Sequence, residues 1–204
     1  MSVISRAAYL RRIAVAYLGS GASQLTFWHG TPRAALYLKK DGLGPYYMRF
    51  DEKADYSVHL DPDSVPMLDY RGVLGLQYNP IAIAQYALGN HTLWLENNSP
   101  ERLGKLEAAA QWLLKNLKPN QHGVPVWGHN FDWEYVERLV APWHSGLAQG
   151  QGISALLRAH QATGKTEYIN AAIKAFEAFE SEVDQGGVIY TDSEGNPWIE
   201  EYIV

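Results

Sequence analysis

Cysteine is absent from the 204 residues. That excludes a disulfide framework, a zinc–thiolate site, an iron–sulfur cluster and a cysteine nucleophile. It leaves the compartment open. Long apolar runs are missing as well. Ile13–Leu18, which follows Arg6, Arg11 and Arg12, has only six residues. A secretory apolar region takes ~7–15 residues and a membrane span ~20. The segment reads better as an amphipathic helix over residues 2–18, with Ser2 as N-cap and Gly19 to Gly21 as the stop, and a cytoplasmic location is slightly favoured. Basic residues are few: 17 Lys and Arg against 22 Asp and Glu leave a net charge of −5. No broad basic footprint for nucleic acid exists. Phe is also scarce, with 5 residues against 7 Trp and 13 Tyr. Aromatic rings with a polar handle are common where they line a wet cleft. A composition of 47% hydrophobic and 19% charged residues excludes a disordered chain.

The organisation is mainly helical. Residues 25–60 are broken by Gly and Pro and read as short strands or extended arms, and residues 61–79 as a loop. Asn79 and Pro80 then open a helix whose exit suits Gly89. Ser99-Pro100-Glu101 opens a second helix, which Pro119 stops. Residues 146–162 and 165–182 form another helix pair broken at Gly164. A glycine-led aromatic segment follows each pair. Gly123–Trp127 closes on Trp133–Tyr135, and Gly187–Tyr190 closes on Trp198–Tyr202. The two starts lie 64 residues apart. A repeated helix–helix–hairpin unit must stack on neighbours to bury its faces. The expected fold is therefore a partial α/α toroid with short β-hairpins and a small β-rich N-terminal region. Its expected limits are an N-terminal helix and extended arm over 1–65 and a toroid domain over 66–204.

Three stretches resemble a known family: Tyr78–Leu88, Pro142–Ser154 and Trp198–Tyr202. The middle one, W-x-S-x-x-A-Q-G-Q-x-I-S, is the most specific. Together they are similar to the C-terminal domain of the D-glucuronyl C5-epimerases of heparan sulfate and heparosan modification. The resemblance implies inversion of C5 in D-glucuronosyl residues of a uronic-acid-containing polysaccharide, with no cofactor. It maps the family's catalytic glutamate and tyrosine onto Glu201 and Tyr202. Two further tyrosines used by the family have no counterpart before Val204. His144 stands where animal members carry tyrosine, and Ile203 where they carry proline. The resemblance thus implies an incomplete, open arc with an exposed apolar edge. Such a chain is expected to need another segment or chain for activity.

The chemistry explains the residue types. The C5 hydrogen lies beside a carboxylate and is very weakly acidic, so its removal needs a base on one ring face and an acid on the other. Burial of Glu201 against Trp198 and Ile199 is expected to raise its pKa. Adjacent residues of a strand point to opposite faces, so the acid opposing Glu201 is expected from elsewhere than Tyr202.

The remaining candidates for substrate binding each have a bland alternative. Trp143 either stacks on a sugar or packs in a core. Gln149 and Gln151 either bond sugar hydroxyls or serve helix packing, and Gln85 is similar. Tyr78 and His144 enter through the motifs. Arg138 either meets a substrate carboxylate or neutralises Glu134 one helical turn away. Asp132, Glu134 and Glu137 suggest a glycosidase pair but read better as a solvated loop and helix start. His122, His129 and Asp132 lack the tight spacing of a metal site. No metal, nucleic acid or membrane partner is expected, and a homodimer stays open. Two rival readings remain: a non-catalytic uronate-polymer-binding module, and a toroid lyase or hydrolase.

Overall fold

The computed structural model describes residues 33–203 apart from 38, 40, 41, 71–73 and 135–137, and positions 7, 10, 11 and 14 of the first 32. Those four positions are helical. The rest of the expected helix over 2–18, including its Ser2 cap and glycine stop, lies outside the described residues, as do Tyr135 and Glu137.

Beyond positions 7, 10, 11 and 14, five α-helices carry the described chain: α1 Asp51–Ala54, α2 Pro80–Asn97, α3 Pro100–Asn116, α4 Gly146–Thr163 and α5 Thr166–Phe176. Four two-stranded antiparallel pairs accompany them. These are β1 Leu68–Asp69 with β2 Leu76–Gln77, β3 Lys118–Pro119 with β4 Pro125–Val126, β5 Trp133–Glu134 with β6 Arg138–Leu139, and β7 Ile189–Thr191 with β8 Pro197–Ile199. The fold is mainly α, as expected. Among the described residues no helix is long and apolar enough to cross a membrane.

The helix starts follow local chemistry. The Asn79 side chain accepts from the Ile81 and Ala82 N–H groups, and Ser99 Oγ accepts from Arg102 N. Each cap satisfies orphan donors of a first turn that carries Pro. One end differs from expectation. Gly89 does not end α2, which runs to Asn97 and closes on Asn98 in the left-handed region. The Phe50 carbonyl crosses so close that a Cβ on Gly89 would lie 2.4 Å from its oxygen. Gly89 serves that close approach rather than a helix exit.

Two contacts set the direction of packing. Gln85 meets Gln151 near the starts of α2 and α4, and Trp127 seals α3 against the helix that follows it. Thr166–Phe176 returns along α4, since Ala175 accepts from Gln149. The core joins Ile83, Tyr86 and Leu88 of α2, Leu106 and Leu113 of α3, Ala155 and Leu156 of α4 and Tyr168 of α5. α2 is buried almost all round in its first three turns, as a central helix must be.

Candidate functional site

The most specific motif folds into a seam where α4 begins. Trp143 pairs with His129 through two main-chain bonds of 2.7 and 3.2 Å, and Ile203 N donates to the His144 carbonyl at 2.9 Å. Ser145 caps α4 by accepting from Ala148 N at 2.9 Å. Gly146 N donates to the Glu200 carbonyl at 3.1 Å. A Cβ at Gly146 would lie 2.5 Å from that carbonyl oxygen, so glycine lets the Glu200–Glu201 segment lie on the first turn. Motif and E-E-Y end thus form one structure with a cavity on each side.

The first cavity, about 320 Å³, is walled by Tyr78, Trp112 and Trp143, with His144, Lys118 and Asn130 at its polar points. Trp143 lies face to face with His129, centroids 3.7 Å apart, and donates its indole N–H to the Phe131 carbonyl at 2.8 Å. Tyr78 donates to Asp61 Oδ2 at 2.7 Å. Burial, then the Asp61 carboxylate, pushes its phenol up to about 12. His144 Nε2 lies 3.3 Å from the Gly187 carbonyl. A carbonyl only accepts, so this nitrogen carries the proton. Burial holds the His144 pKa below the usual imidazole value, so the ring is neutral at pH 7.

The second cavity, about 400 Å³, is lined by Tyr46, Gly146, Gln151, Ile199, Glu200 and Glu201. Gln151 is buried and accepts from Gln85 Nε2 at 3.0 Å. Gln85 Oε1 in turn accepts from Lys53 Nζ at 2.8 Å. Tyr202 turns the other way and meets the Trp143 ring edge-on at 5.7 Å. Glu201 and Tyr202 therefore face different surroundings. The Trp198 and Ile199 side chains are 59% and 62% exposed, and Glu201 is itself exposed. The apolar burial expected around Glu201 is not what the structure shows.

The structure brings Tyr78, Trp143 and His144 to one cavity and Gln151 and Glu201 to the other, with Gln85 behind Gln151. Gln149 stands apart. Its Oε1 accepts from Trp127 N at 2.9 Å, and its Nε2 donates to the Pro125 and Ala175 carbonyls at 3.2 and 3.1 Å. It ties the β4 strand to α4 and α5. Arg138 donates to Asp132 Oδ2 at 2.6 Å. Glu134 and Arg138 are cross-strand partners in a hairpin, which replaces the helical turn expected there. The Ala141 N–H, then Arg138, holds the Asp132 carboxyl below its usual range. His129, weighed with His122 as a metal ligand, is buried in its stack on Trp143. Sequence reasoning missed Tyr46, Lys53 and Asp61. Tyr46 lines the second cavity, Lys53 bonds Gln85 behind it and Asp61 accepts from Tyr78 at the first, all from before residue 65.

Residues 121–204 match the family model described as the D-glucuronyl C5-epimerase C-terminus. The D-glucuronyl C5-epimerase of Caenorhabditis elegans is 42% identical over 98 residues, which cover 47% of this chain and 15% of the worm protein. An uncharacterized protein of Methanocaldococcus jannaschii is 34% identical over 64 residues, covering 31% of this chain and 20% of that protein. The matches thus span 15% and 20% of the relatives' lengths. Residues 121–204 are thus similar to the C-terminal part of the D-glucuronyl C5-epimerases.

Proposed function

We propose that the chain carries the glutamate-bearing part of a glucuronyl C5-epimerase site acting on a heparosan-type polymer. The observation that carries this reading is the seam: Gly146 of the most specific motif bonds the Glu200 carbonyl and presents Glu201 in a cavity. In this reading Glu201 removes the C5 proton and the electron pair moves into the uronate carboxyl group. A sugar seated in the cavity covers the exposed Glu201 and excludes water from it. The cavity across the seam holds a neighbouring sugar against Tyr78 and Trp112, and Lys118 meets its carboxylate. Residues 66–204 form the catalytic domain, the helix pairs being part of an α/α toroid whose inner helices are α2 and α4.

Heparosan incubated in deuterated water with the protein, alone or extended downstream, tests the reading. Deuterium at C5 and new L-iduronate are expected. Polymer binding without exchange would instead mean a binding module, and a rise in ultraviolet absorbance from unsaturated ends would mean a lyase.

A further inference from the structure

Beside Glu200 and Glu201, their cavity holds a third titratable group. The Tyr46 ring lines the same cavity. Residues 42–54 are anchored onto α2 and α4 at several points. Arg158 of α4 donates to the Gly44 carbonyl at 3.2 Å and places its guanidinium 5.4 Å from the Tyr46 ring centre. Tyr46 stacks on Phe50 at 5.8 Å, and Phe50 rests on Gly89 of α2. Tyr46 is therefore fixed by two helices of the core.

A directed file of hydrogen bonds runs to Gln151, which lines the cavity beside Tyr46. The Lys53 ammonium can only donate, so Gln85 must present Oε1 to it. Gln85 then has only its N–H donors left to face Gln151, whose Oε1 accepts. That leaves the Gln151 amide nitrogen for Tyr46, which lines the same cavity and packs its ring on Tyr47. Each amide orientation follows from the single cation at the start of the file. Both glutamines are buried, where an unsatisfied amide would be costly, so the direction is held. Burial, then Tyr47, pushes the Tyr46 phenol up to about 12. It is a protonated acid at neutral pH.

Resting on the uronate reading above, we propose that Tyr46 is the second proton-transfer group of the Glu201 cavity. Lys53, acting through Gln85 and Gln151, is the positioning residue that aims an N–H donor at the Tyr46 oxygen. The C5–H bond breaks toward Glu201, which takes the proton while the electron pair enters the uronate carboxyl as an enediolate. A new C5–H bond forms on the opposite ring face with the Tyr46 hydroxyl proton. The phenolate left behind is stabilised by the Gln151 N–H and the Arg158 guanidinium. Solvent then carries the proton from Glu201 back to Tyr46.

Exchange and inversion separate in Tyr46→Phe. Glu201 can still remove and return the C5 proton on its own face, so exchange of D-glucuronate should stay within a few-fold of wild type. L-iduronate formation should fall by ~10²-fold or more, the range of a general acid. Lys53→Met should lower inversion several-fold with exchange kept, and Lys53→Arg should restore it, because arginine is also a donor-only cation. Equal loss of exchange and inversion in Tyr46→Phe, or inversion unchanged, would overturn the proposal while leaving the uronate reading standing. If wild type shows no exchange at all, that reading fails, and ζ-carbon-labelled tyrosine decides the proposal. The Tyr46 resonance shifting on titration with a D-glucuronate-terminated heparosan tetrasaccharide supports Tyr46 as a substrate contact, and a resonance that stays still overturns it.

Discussion

A two-stranded hairpin follows each helix pair, and the two differ in what covers them. After the first pair it is Lys118–Pro119 with Pro125–Val126, not the expected closure of Gly123–Trp127 on Trp133–Tyr135. After α2 and α3, the chain through β3 and β4 delivers Trp127, which is fully buried. Its indole N–H donates to the Leu113 carbonyl, and its main-chain N–H to Gln149. After α4 and α5, the β7–β8 hairpin delivers Trp198, which is 59% exposed beside exposed Ile199 and Tyr190. The first hairpin is sealed because α4 and α5 lie against it. The second offers its aromatic residues to solvent and passes its chain to Glu201. In stacked repeats, stability resides where neighbours meet. The first unit thus builds the core, and the second carries the proposed chemistry at its rim.

Substitution at the two tryptophans tests that contrast most strongly. Trp127→Ala should lower unfolding free energy by about 3–5 kcal/mol, the cost of a large buried truncation, whereas Trp198→Ala should stay within about 0.5 kcal/mol. Denaturant melts of both variants check this, and equal losses would erase the distinction. Acid should act on the first unit next. His91 of α2 and His129 after β4 are buried, and burial lowers each to about 3. Unfolded histidine titrates near 6.5, so the unfolded chain takes up protons that the folded chain refuses. Stability should be full above pH 6.5 and fall below it, by roughly 2 kcal/mol per histidine by pH 5. Urea midpoints across that range measure it. Gln149→Leu, which strips the tie between the units, should cost about 1–3 kcal/mol by leaving Trp127 N and two carbonyls unpaired. Gly146→Ala should act more on turnover than on melting. It pushes the Glu200–Glu201 segment off α4, and displacement on that scale can cost ~10²-fold in rate. Thermal melts set beside C5 exchange rates separate the two effects.

Much of the fold was legible because it rests on local chemistry. Asn79-Pro80 and Ser99-Pro100 announce their helices, and Gly164 sits in the left-handed region that breaks α4 from α5. What misled was long-range. Gly89 resembles a helix stop, yet it is there for the Phe50 carbonyl from another segment. The Glu134–Arg138 spacing fits a helical turn, but residues 133 and 139 pair across a hairpin. In the site, the motif located the seam but not the division of labour within it. Gln149 and Gln151 look alike in sequence, yet two helical positions lie about 200° apart around the axis. One amide therefore meets the β4 strand and the other meets α2. Tyr46 and Lys53 drew no site role from the sequence, since their roles exist only once residues 42–54 lie across two helices.

The central claim is that the seam presents Glu201 for removal of a uronate C5 proton. Its most direct measurement compares wild type with Glu201→Gln for deuterium incorporation at C5 of heparosan, with thermal midpoints recorded alongside. The account predicts measurable exchange by wild type, a loss of ~10²-fold or more in the variant and no change in midpoint, because Glu201 is exposed and its substitution leaves the core intact. Exchange by Glu201→Gln at the wild-type rate would contradict it.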